Sequence, residues 1–158
     1  MDPKHIHFMN IAAQMSREKM ADGEGGPFGA IIVWNDKVIG QGWNQVTSRF
    51  DPSAHAEIVA IRNACDHLQN FSLKGAVIYT SCEPCPMCLG AIWWARLDSI
   101  YYSNSREDAA QIGFDDAEIY KEVSRATSER HIPMIRCESE NAKLAMEEWK
   151  RKEDKILY

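Results

Sequence analysis

The sequence predicts an α/β fold, a three-layer α/β/α sandwich in which helices cover both faces of a mixed sheet of roughly five strands. Strand-like and helical segments alternate along most of the 158 residues. Two β-rich runs, at 30–34 and 38–43, flank Asn35-Asp36-Lys37, which indicates a hairpin. Because the sequence has no repeat, linker or low-complexity segment, we expect a single domain over residues 1–158.

The first half of the chain is expected to hold two helices in addition to the hairpin. Apolar residues at helical spacing between 5 and 21 predict an amphipathic first helix. A glycine-rich stretch at 22–27 ends this helix, and it lacks the Gly-Lys-Ser/Thr sequence of a phosphate-binding loop, so we interpret it as a connector. After the hairpin, Ser53 is expected to cap a second helix that runs to about His67.

Short strands and helices alternate in the second half. Proline is tolerated in the first turn of a helix, so we expect a helix to begin near Pro84. The predicted strands are 76–80, 99–102 and 132–135, and the predicted helices are 84–96, 108–112, 117–123 and 141–151.

Composition and charge exclude several classes of partner. The net charge is -5, whereas proteins that bind nucleic acid backbones usually carry a basic surface, so we expect no nucleic acid partner. No apolar run is long enough to span a membrane, and the amino terminus lacks the pattern of a signal peptide. We therefore expect a cytoplasmic protein without a membrane partner.

Three of the five cysteines lie within seven residues, at Cys82, Cys85 and Cys88. Neighbours this close cannot all pair with one another in disulfides. In a reducing compartment, such a cluster more often binds a metal or takes part in catalysis.

Two short motifs together predict a zinc site: His55-Ala56-Glu57, and Cys85-Pro86-Met87-Cys88. A Cys-x-x-Cys at the start of a helix places both sulfurs near unpaired backbone N–H groups, which favours thiolates. One imidazole and two thiolates suit zinc and leave a fourth tetrahedral position open, as in catalytic sites. We expect one zinc ion per chain, bound by His55, Cys85 and Cys88.

Two neighbouring residues bear on whether this zinc site is catalytic. Glu57 is expected to be the catalytic proton carrier, although residues two apart on a regular helix point about 200° away from each other. Cys82-Glu83-Pro84-Cys85 is a second Cys-x-x-Cys, and a fourth protein ligand would make the site closed and structural. Since Pro84 places Cys82 before the helix, we expect that Cys82 is not a ligand, and the alternative stays open.

The zinc motifs belong to longer segments with a familiar order. These segments are Gly25-Gly26-Pro27-Phe28-Gly29-Ala30, residues 51–57, residues 79–96, Asp108-Ala109-Ala110, Gly113-Phe114-Asp115-Asp116 with Ile119-Tyr120, and the terminal Tyr158. In this arrangement the sequence resembles the cytidine-deaminase-like superfamily, whose zinc members carry His-x-Glu followed by Pro-Cys-x-x-Cys. Within the superfamily it looks most similar to the small bacterial guanine deaminases, while the tRNA adenosine deaminases share the zinc segments.

This resemblance implies the hydrolysis of guanine to xanthine and ammonia. It also implies a purine pocket in which Phe28 and Trp94 pack on the base, while Asn44 and Asp116 form hydrogen bonds with its edge. An amide offers both a donor and an acceptor, and a carboxylate accepts from N–H groups, so these residue types suit a purine edge.

The resemblance further implies a homodimer whose carboxy-terminal segment crosses over to the neighbouring chain. Tyr158 would then close the partner's pocket, and Ala56 completes the expected set of substrate-binding residues. The alternatives are the same chemistry on guanosine, cytosine or adenosine in tRNA, or a non-catalytic zinc-stabilised binding module.

Overall fold

Residues 29–104 contribute four strands to one mixed sheet in the structure, a computed structural model that describes residues 2–158. The strands are β1 (Gly29–Trp34), β2 (Lys37–Trp43), β3 (Val77–Cys82) and β4 (Ser99–Asn104). Their order is β2-β1-β3-β4, with β1 antiparallel to both of its neighbours and β3 parallel to β4. The predicted hairpin is confirmed: Asn35 and Asp36 connect β1 to β2 with φ values of 49° and 62°, as tight hairpin turns require.

Helices follow or precede these strands throughout the described chain. They are α1 (Pro3–Ala21), α2 (Val46–Arg49), α3 (Ala56–Leu68), α4 (Pro86–Trp94), α5 (Arg106–Gln111), α6 (Ala117–Ser124) and α7 (Glu140–Arg151), with a 3-10 turn at Thr127–Glu129. The chain forms two compact units, the first ending at Asp116 and the second spanning Ala117–Tyr158.

The first unit has the three layers that the sequence predicts. On one face of the sheet, Phe8 and Ala12 of α1 pack against Ile31, Val33 and Tyr79. On the other face, small and branched residues of α3 and α4 pack against β1 and β3; these are Ala56, Ala60, Ala64 and Ile92 against Ala30, Ile32 and Ile78. The sheet therefore has a helical layer on each side, and the α/β prediction is confirmed.

The starts of α3 and α4 differ from the predicted ones. The N-cap of α3 is His55 rather than Ser53, whose amide and hydroxyl instead donate to the Asp51 carboxylate at 2.8 and 2.7 Å. The N-cap of α4 is Cys85, so that Pro86 rather than Pro84 occupies the first helical position. A proline there costs no hydrogen bond, because the first N–H groups of a helix have no partner within it.

The predicted strand at 132–135 is wrong, and the described sheet has four strands rather than five. Residues 131–139 contain no helix or strand. Pro133 lacks the N–H group that a ladder needs, and Ile132 and Ile135 are 80% and 86% exposed, so this run neither pairs nor packs as a strand.

The second unit, described by itself, is made of α6, the 3-10 turn and α7. None of residues 117–158 is buried, although the unit carries many large apolar side chains. Between residues 2 and 158, the helices are too short or too polar to cross a lipid bilayer.

Helix α3 lies unusually close to β2 because two glycines face it. A Cβ atom added to Gly42 would lie 2.2 Å from the carbonyl oxygen of Ala56 and 2.4 Å from the amide nitrogen of Ala60. At Gly40, the carbonyl oxygen of Ala60 would be 2.5 Å away. These neighbours are backbone atoms, so they cannot move without moving the helix. The two glycines therefore set the distance between the hairpin and α3.

We predict that Gly42→Ala lowers the free energy of unfolding by about 1–3 kcal/mol, since overpacking forces backbone shifts of this cost. Gly90→Ala is the matched control, because Gly90 lies in α4 with no atom within 4 Å of its added Cβ. Alanine there should leave stability unchanged or raise it by up to about 1 kcal/mol. Urea denaturation followed by circular dichroism measures both, and a wild-type midpoint for Gly42→Ala would contradict the close contact.

Candidate metal centre

Two helices begin at the same place in the first unit, and each supplies a candidate ligand from its N-cap position. His55 precedes α3 with φ -68° and ψ 155°, and Cys85 precedes α4 with φ -65° and ψ 168°. Both residues are therefore extended rather than helical. The angular separation expected for a regular helix does not apply to His55 and Glu57, because only Glu57 lies within α3.

The candidate ligand atoms lie at the separations that a tetrahedral zinc ion requires. Nδ1 of His55 is 3.6 Å from Sγ of Cys85 and 3.5 Å from Sγ of Cys88. Zinc bonds of about 2.0–2.1 Å to nitrogen and about 2.3 Å to sulfur place these atoms about 3.6 Å apart at the tetrahedral angle. The donor set of one imidazole and two thiols also suits zinc, so the residues present fit the ion.

The pKa values of the Cys85 and Cys88 thiols are shifted in opposite directions. A side-chain hydrogen bond between Cys85 and Cys88 lowers the pKa of Cys85 to about 4, and the His55 ring adds to this effect. The same hydrogen bond and the burial of Cys88 raise its pKa. The pKa of His55 is raised, mainly by its hydrogen bond to Cys85, against the opposing effect of burial. The site thus stabilises a thiolate at Cys85.

Glu57 is buried directly beside this cluster, with 6% of its surface exposed. Its Oε1 accepts a hydrogen bond from the Thr80 hydroxyl at 2.9 Å, and its Oε2 accepts from the Cys88 thiol at 3.4 Å. Burial raises the pKa of Glu57, against the lowering effect of its hydrogen bonds. A raised pKa favours the protonated carboxyl group, the form that can act as a general acid.

Cys82 lies outside the group of residues that could share a metal ion. Within residues 2–158, the atoms that could jointly hold an ion are those of His55, Cys85 and Cys88. The Cys82 thiol instead donates to the carbonyl oxygen of Ser105 at 3.5 Å, and burial raises its pKa to about 11. Three protein ligands leave the fourth tetrahedral position open, as catalytic zinc sites do.

Asn44 is buried at the end of β2 and is held by a close backbone contact. Its side-chain oxygen accepts from the amides of Gly26 and Val46, both at 3.3 Å. A Cβ atom at Gly25 would lie 2.0 Å from the carbonyl oxygen of Asn44, so the loop can approach only because this residue is glycine. These contacts leave the NH₂ group of Asn44 as the donating end of its amide.

Phe28 and Asp116, two of the predicted substrate-binding residues, are related through Phe114, which contacts Phe28 and precedes Asp116 by two residues. Phe28 packs edge-to-face against Phe114, with ring centroids 4.8 Å apart at 90°. Asp116 follows two residues later, and its pKa is raised by burial and by the negative charge of Cys85. Asp116 is therefore close enough to the thiolate for the two charges to interact.

The remaining predicted substrate-binding residues are in three different situations. Ala56 is fully buried as the first residue of α3. Trp94 ends α4, is 60% exposed, and has the Arg96 guanidinium 5.5 Å from its ring centroid. Tyr158 lies in the second unit and is 74% exposed, so its part in the pocket stays a prediction.

Sequence reasoning gave no role to two residues that the structure places beside predicted site residues. Thr80 contacts Glu57, and Phe114 contacts Phe28. The signal for Thr80 was a polar residue at the end of the predicted apolar strand 76–80, where a buried hydroxyl would need a partner. For Phe114, the sequence shows only an aromatic residue in a loop, and nothing in that pattern indicates that its ring contacts Phe28.

Comparison with known proteins agrees with this geometry. Residues 2–104 match the family described as the cytidine and deoxycytidylate deaminase zinc-binding region. Guanine deaminase of Bacillus subtilis is 50% identical over 129 residues, which cover 82% of this chain and 83% of that protein.

A solved structure and a second curated relative extend the comparison. The X-ray structure of guanine deaminase from Bacillus subtilis superimposes with a TM-score of 0.94 and 44% identity, covering 98% of both chains. A tRNA-specific adenosine deaminase of Buchnera aphidicola is 35% identical over 132 residues, covering 83% of this chain and 87% of that protein.

We predict that Cys85→Ser and Cys88→Ser each reduce the zinc content from about one ion per chain to near zero, because each removes a thiolate ligand. Cys82→Ser is the matched control: it removes a third buried or half-buried thiol from the same segment and should keep its zinc. Metal analysis by mass spectrometry after dialysis measures all three variants. Loss of zinc from Cys82→Ser to the same extent would make Cys82 a ligand and the site closed.

Proposed function

The chain belongs to the cytidine and deoxycytidylate deaminase family with its zinc-binding region, and from this premise we propose that it hydrolyses guanine to xanthine and ammonia. It is a zinc-dependent aminohydrolase. The observation that carries the choice of reaction is the buried carboxylate of Glu57 beside a three-ligand cluster with an open position. A structural metal site needs no proton carrier, whereas hydrolysis of an amino group does.

His55, Cys85 and Cys88 would hold the metal. When bound, zinc supplies a Lewis acid that acidifies water enough for attack on the ring carbon at neutral pH. Glu57 would take one proton from the attacking water and deliver it to the adjacent ring nitrogen. It would then take the remaining proton of the added hydroxyl and deliver it to the departing amine. The new carbon–oxygen bond replaces the carbon–nitrogen bond, and ammonia leaves. The raised pKa of Glu57 suits this exchange, since one group must act as base and then as acid.

The contacts of Asn44 and Asp116 support guanine among the aminopurines. The oxygen of the Asn44 amide is engaged by backbone amides, so its NH₂ group would donate to an acceptor on the base such as a carbonyl oxygen. The Asp116 carboxylate would accept from N–H groups of the base. Guanine offers a carbonyl and adjacent N–H groups, and Phe28 offers an aromatic face for stacking.

We further propose that the 158 residues act as one deaminase domain in a homodimer with a swapped carboxy-terminal segment. Residues 117–158 bury none of their side chains, and Ile119, Leu144 and Trp149 are among their exposed apolar residues. A second copy of the chain is the occupant that would cover them. Trp94 and Ala56 would line the pocket, and Tyr158 of the partner subunit would close it.

Two thiolate ligands also support a reducing compartment, for which we propose the cytoplasm. Thiols bind zinc only while they are reduced, and disulfides are rare in the cytoplasm.

A tRNA adenosine deaminase is the nearest rival function, since such a protein of Buchnera aphidicola is 35% identical to this chain. The net charge of -5 weighs against a polyanionic substrate. The same chemistry on guanosine or cytosine would use the same metal centre and proton carrier, so only the substrate separates these functions.

We predict that the zinc-loaded protein releases ammonia from free guanine and forms xanthine, with much less turnover of guanosine, cytosine and adenine. A coupled ammonia assay and chromatography of the products measure this, with a tRNA transcript as a further substrate. A chelator should abolish turnover, and added zinc should restore it. Inosine formed in tRNA, with no xanthine from guanine, would overturn the assignment.

Glu57→Gln is the internal control for the reaction. It should keep its zinc and lose at least about 100-fold in kcat, because an amide cannot carry the proton. Glu18→Gln makes the same chemical change at an exposed position of α1 and should leave both quantities unchanged.

Subunit mixing tests the swapped segment. We predict that Glu57→Gln and Tyr158→Ala chains, each impaired alone, form mixed dimers in which one site of the two regains activity. That site combines an intact Glu57 from one chain with an intact Tyr158 from the other. Sedimentation should give about twice the chain mass of 18.0 kDa. A monomer, or mixed dimers that stay as impaired as their parents, would contradict the exchange.

A further inference from the structure

The carboxylate of Glu57 is held on both sides by groups from different elements. Oε1 accepts from the Thr80 hydroxyl of β3 at 2.9 Å, and Oε2 faces Cys88 of α4 at 3.4 Å. We infer that Thr80 is a positioning residue for the proposed deamination: its hydroxyl holds one oxygen of Glu57 so that the other faces the ligand cluster. This inference rests on the proposed function, because it assigns Thr80 a part in the same proton transfer.

The position of Thr80 in the sheet suits it to fix the orientation of the Glu57 side chain. It is fully buried, and its strand pairs on both sides, with Ala30 of β1 and Tyr102 of β4 opposite it. A β-branched side chain has few χ1 choices, so the direction of the hydroxyl is set by the strand. Solvent does not reach the hydroxyl, and no water from bulk competes with its hydrogen bond to Glu57.

The hydrogen bond from Thr80 is the stronger of the two restraints on the carboxylate. A hydroxyl 2.9 Å from a carboxylate oxygen has ordinary hydrogen-bond geometry, whereas a thiol is a weak donor at 3.4 Å. As a zinc-bound thiolate, Cys88 would have no proton to donate. Without Thr80, a buried carboxylate oxygen would lose its best donor, which is costly in an apolar surrounding. The side chain would then rotate toward other partners.

A change in the direction of Glu57 should affect the chemical step more than binding. The carboxylate must be within hydrogen-bond reach of the protons that it carries, and misplacement of about 1 Å can cost about 100-fold in rate. The contacts proposed for the purine come from Asn44, Phe28 and Asp116, whereas the Thr80 hydroxyl donates its hydrogen bond to Glu57. Loss of the hydroxyl should therefore lower kcat and leave KM nearly unchanged.

Neighbouring residues of β3 supply a matched control. The hydroxyl of Tyr79 shares a hydrogen bond with Nδ1 of His5 at 2.7 Å, and the Tyr79 ring packs with α1 on the opposite face of the sheet. Tyr79→Phe thus deletes a hydroxyl from the adjacent position of the same strand without a contact to Glu57. It measures what a lost strand hydroxyl does to the fold alone.

The test compares Thr80→Val, Thr80→Ser and Tyr79→Phe as full-length zinc-loaded proteins, with guanine as substrate. Thr80→Val should lower kcat about 10- to 100-fold, with KM within about threefold of wild type and zinc content unchanged. Thr80→Ser keeps the hydroxyl and should recover most of the lost kcat. Tyr79→Phe should keep the wild-type kcat even if its melting temperature falls.

Any other result contradicts either the positioning role of Thr80 or the proposed deaminase function. Wild-type kcat in Thr80→Val, or an equal loss in Thr80→Val and Tyr79→Phe, overturns the positioning role while the deaminase assignment stands. If Thr80→Val is insoluble, Thr80→Ala removes the same hydroxyl, together with the methyl group, without adding an apolar group in its place. Loss of zinc together with activity in that variant also overturns the inference, since Thr80 would then support the metal site. A wild-type protein that retains zinc and deaminates none of the tested bases instead overturns the proposed function.

Discussion

The candidate metal centre depends on the first residues of α3 and α4 lying next to each other, and the packing of the first unit holds these two helix starts together. His55 and Cys85 occupy N-cap positions, yet neither forms the side-chain capping bond that usually satisfies a first-turn N–H group. A capping side chain is worth about 1 kcal/mol, which the chain forgoes at both helices. Glu57 lies in the first turn of α3, and Cys85 lies at the start of α4. The positive helix ends favour negative charge at both positions.

Strand β3 contacts several parts of the site, because its consecutive residues 80, 81 and 82 form hydrogen bonds with different segments. Thr80 donates to Glu57 on the side of α3, whereas the hydroxyl of Ser81 accepts from the amide of Gly29 at 3.0 Å. Cys82 ends the strand with its thiol directed to the backbone of Ser105. The strand thereby fixes the carboxylate, the residue after Phe28, and the segment that leads into α5.

The fold class and the metal centre could be predicted because both leave local signals in the sequence. Alternating periodicity indicated the three layers, and the spacing of Cys85 and Cys88 with a separate His-x-Glu indicated zinc. The strand predicted at 132–135 failed because apolar residues alone do not make a strand: Pro133 interrupts the ladder and the isoleucines remain exposed. The helix starts differ from the predicted ones because Ser53 forms its hydrogen bonds with Asp51, and because Pro86 rather than Pro84 occupies the first helical position. The contact between Thr80 and Glu57 joins residues 23 apart, and no local pattern reports such a distance.

The spacing of the three candidate ligands along the chain links metal binding to stability. Cys85 and Cys88 lie within one helical turn, whereas His55 is 30 residues before Cys85. Ligands this far apart in sequence come together only when the chain between them is folded. An ion held by all three would therefore bind the folded chain more tightly than the unfolded one, and its binding would add to the stability of the fold.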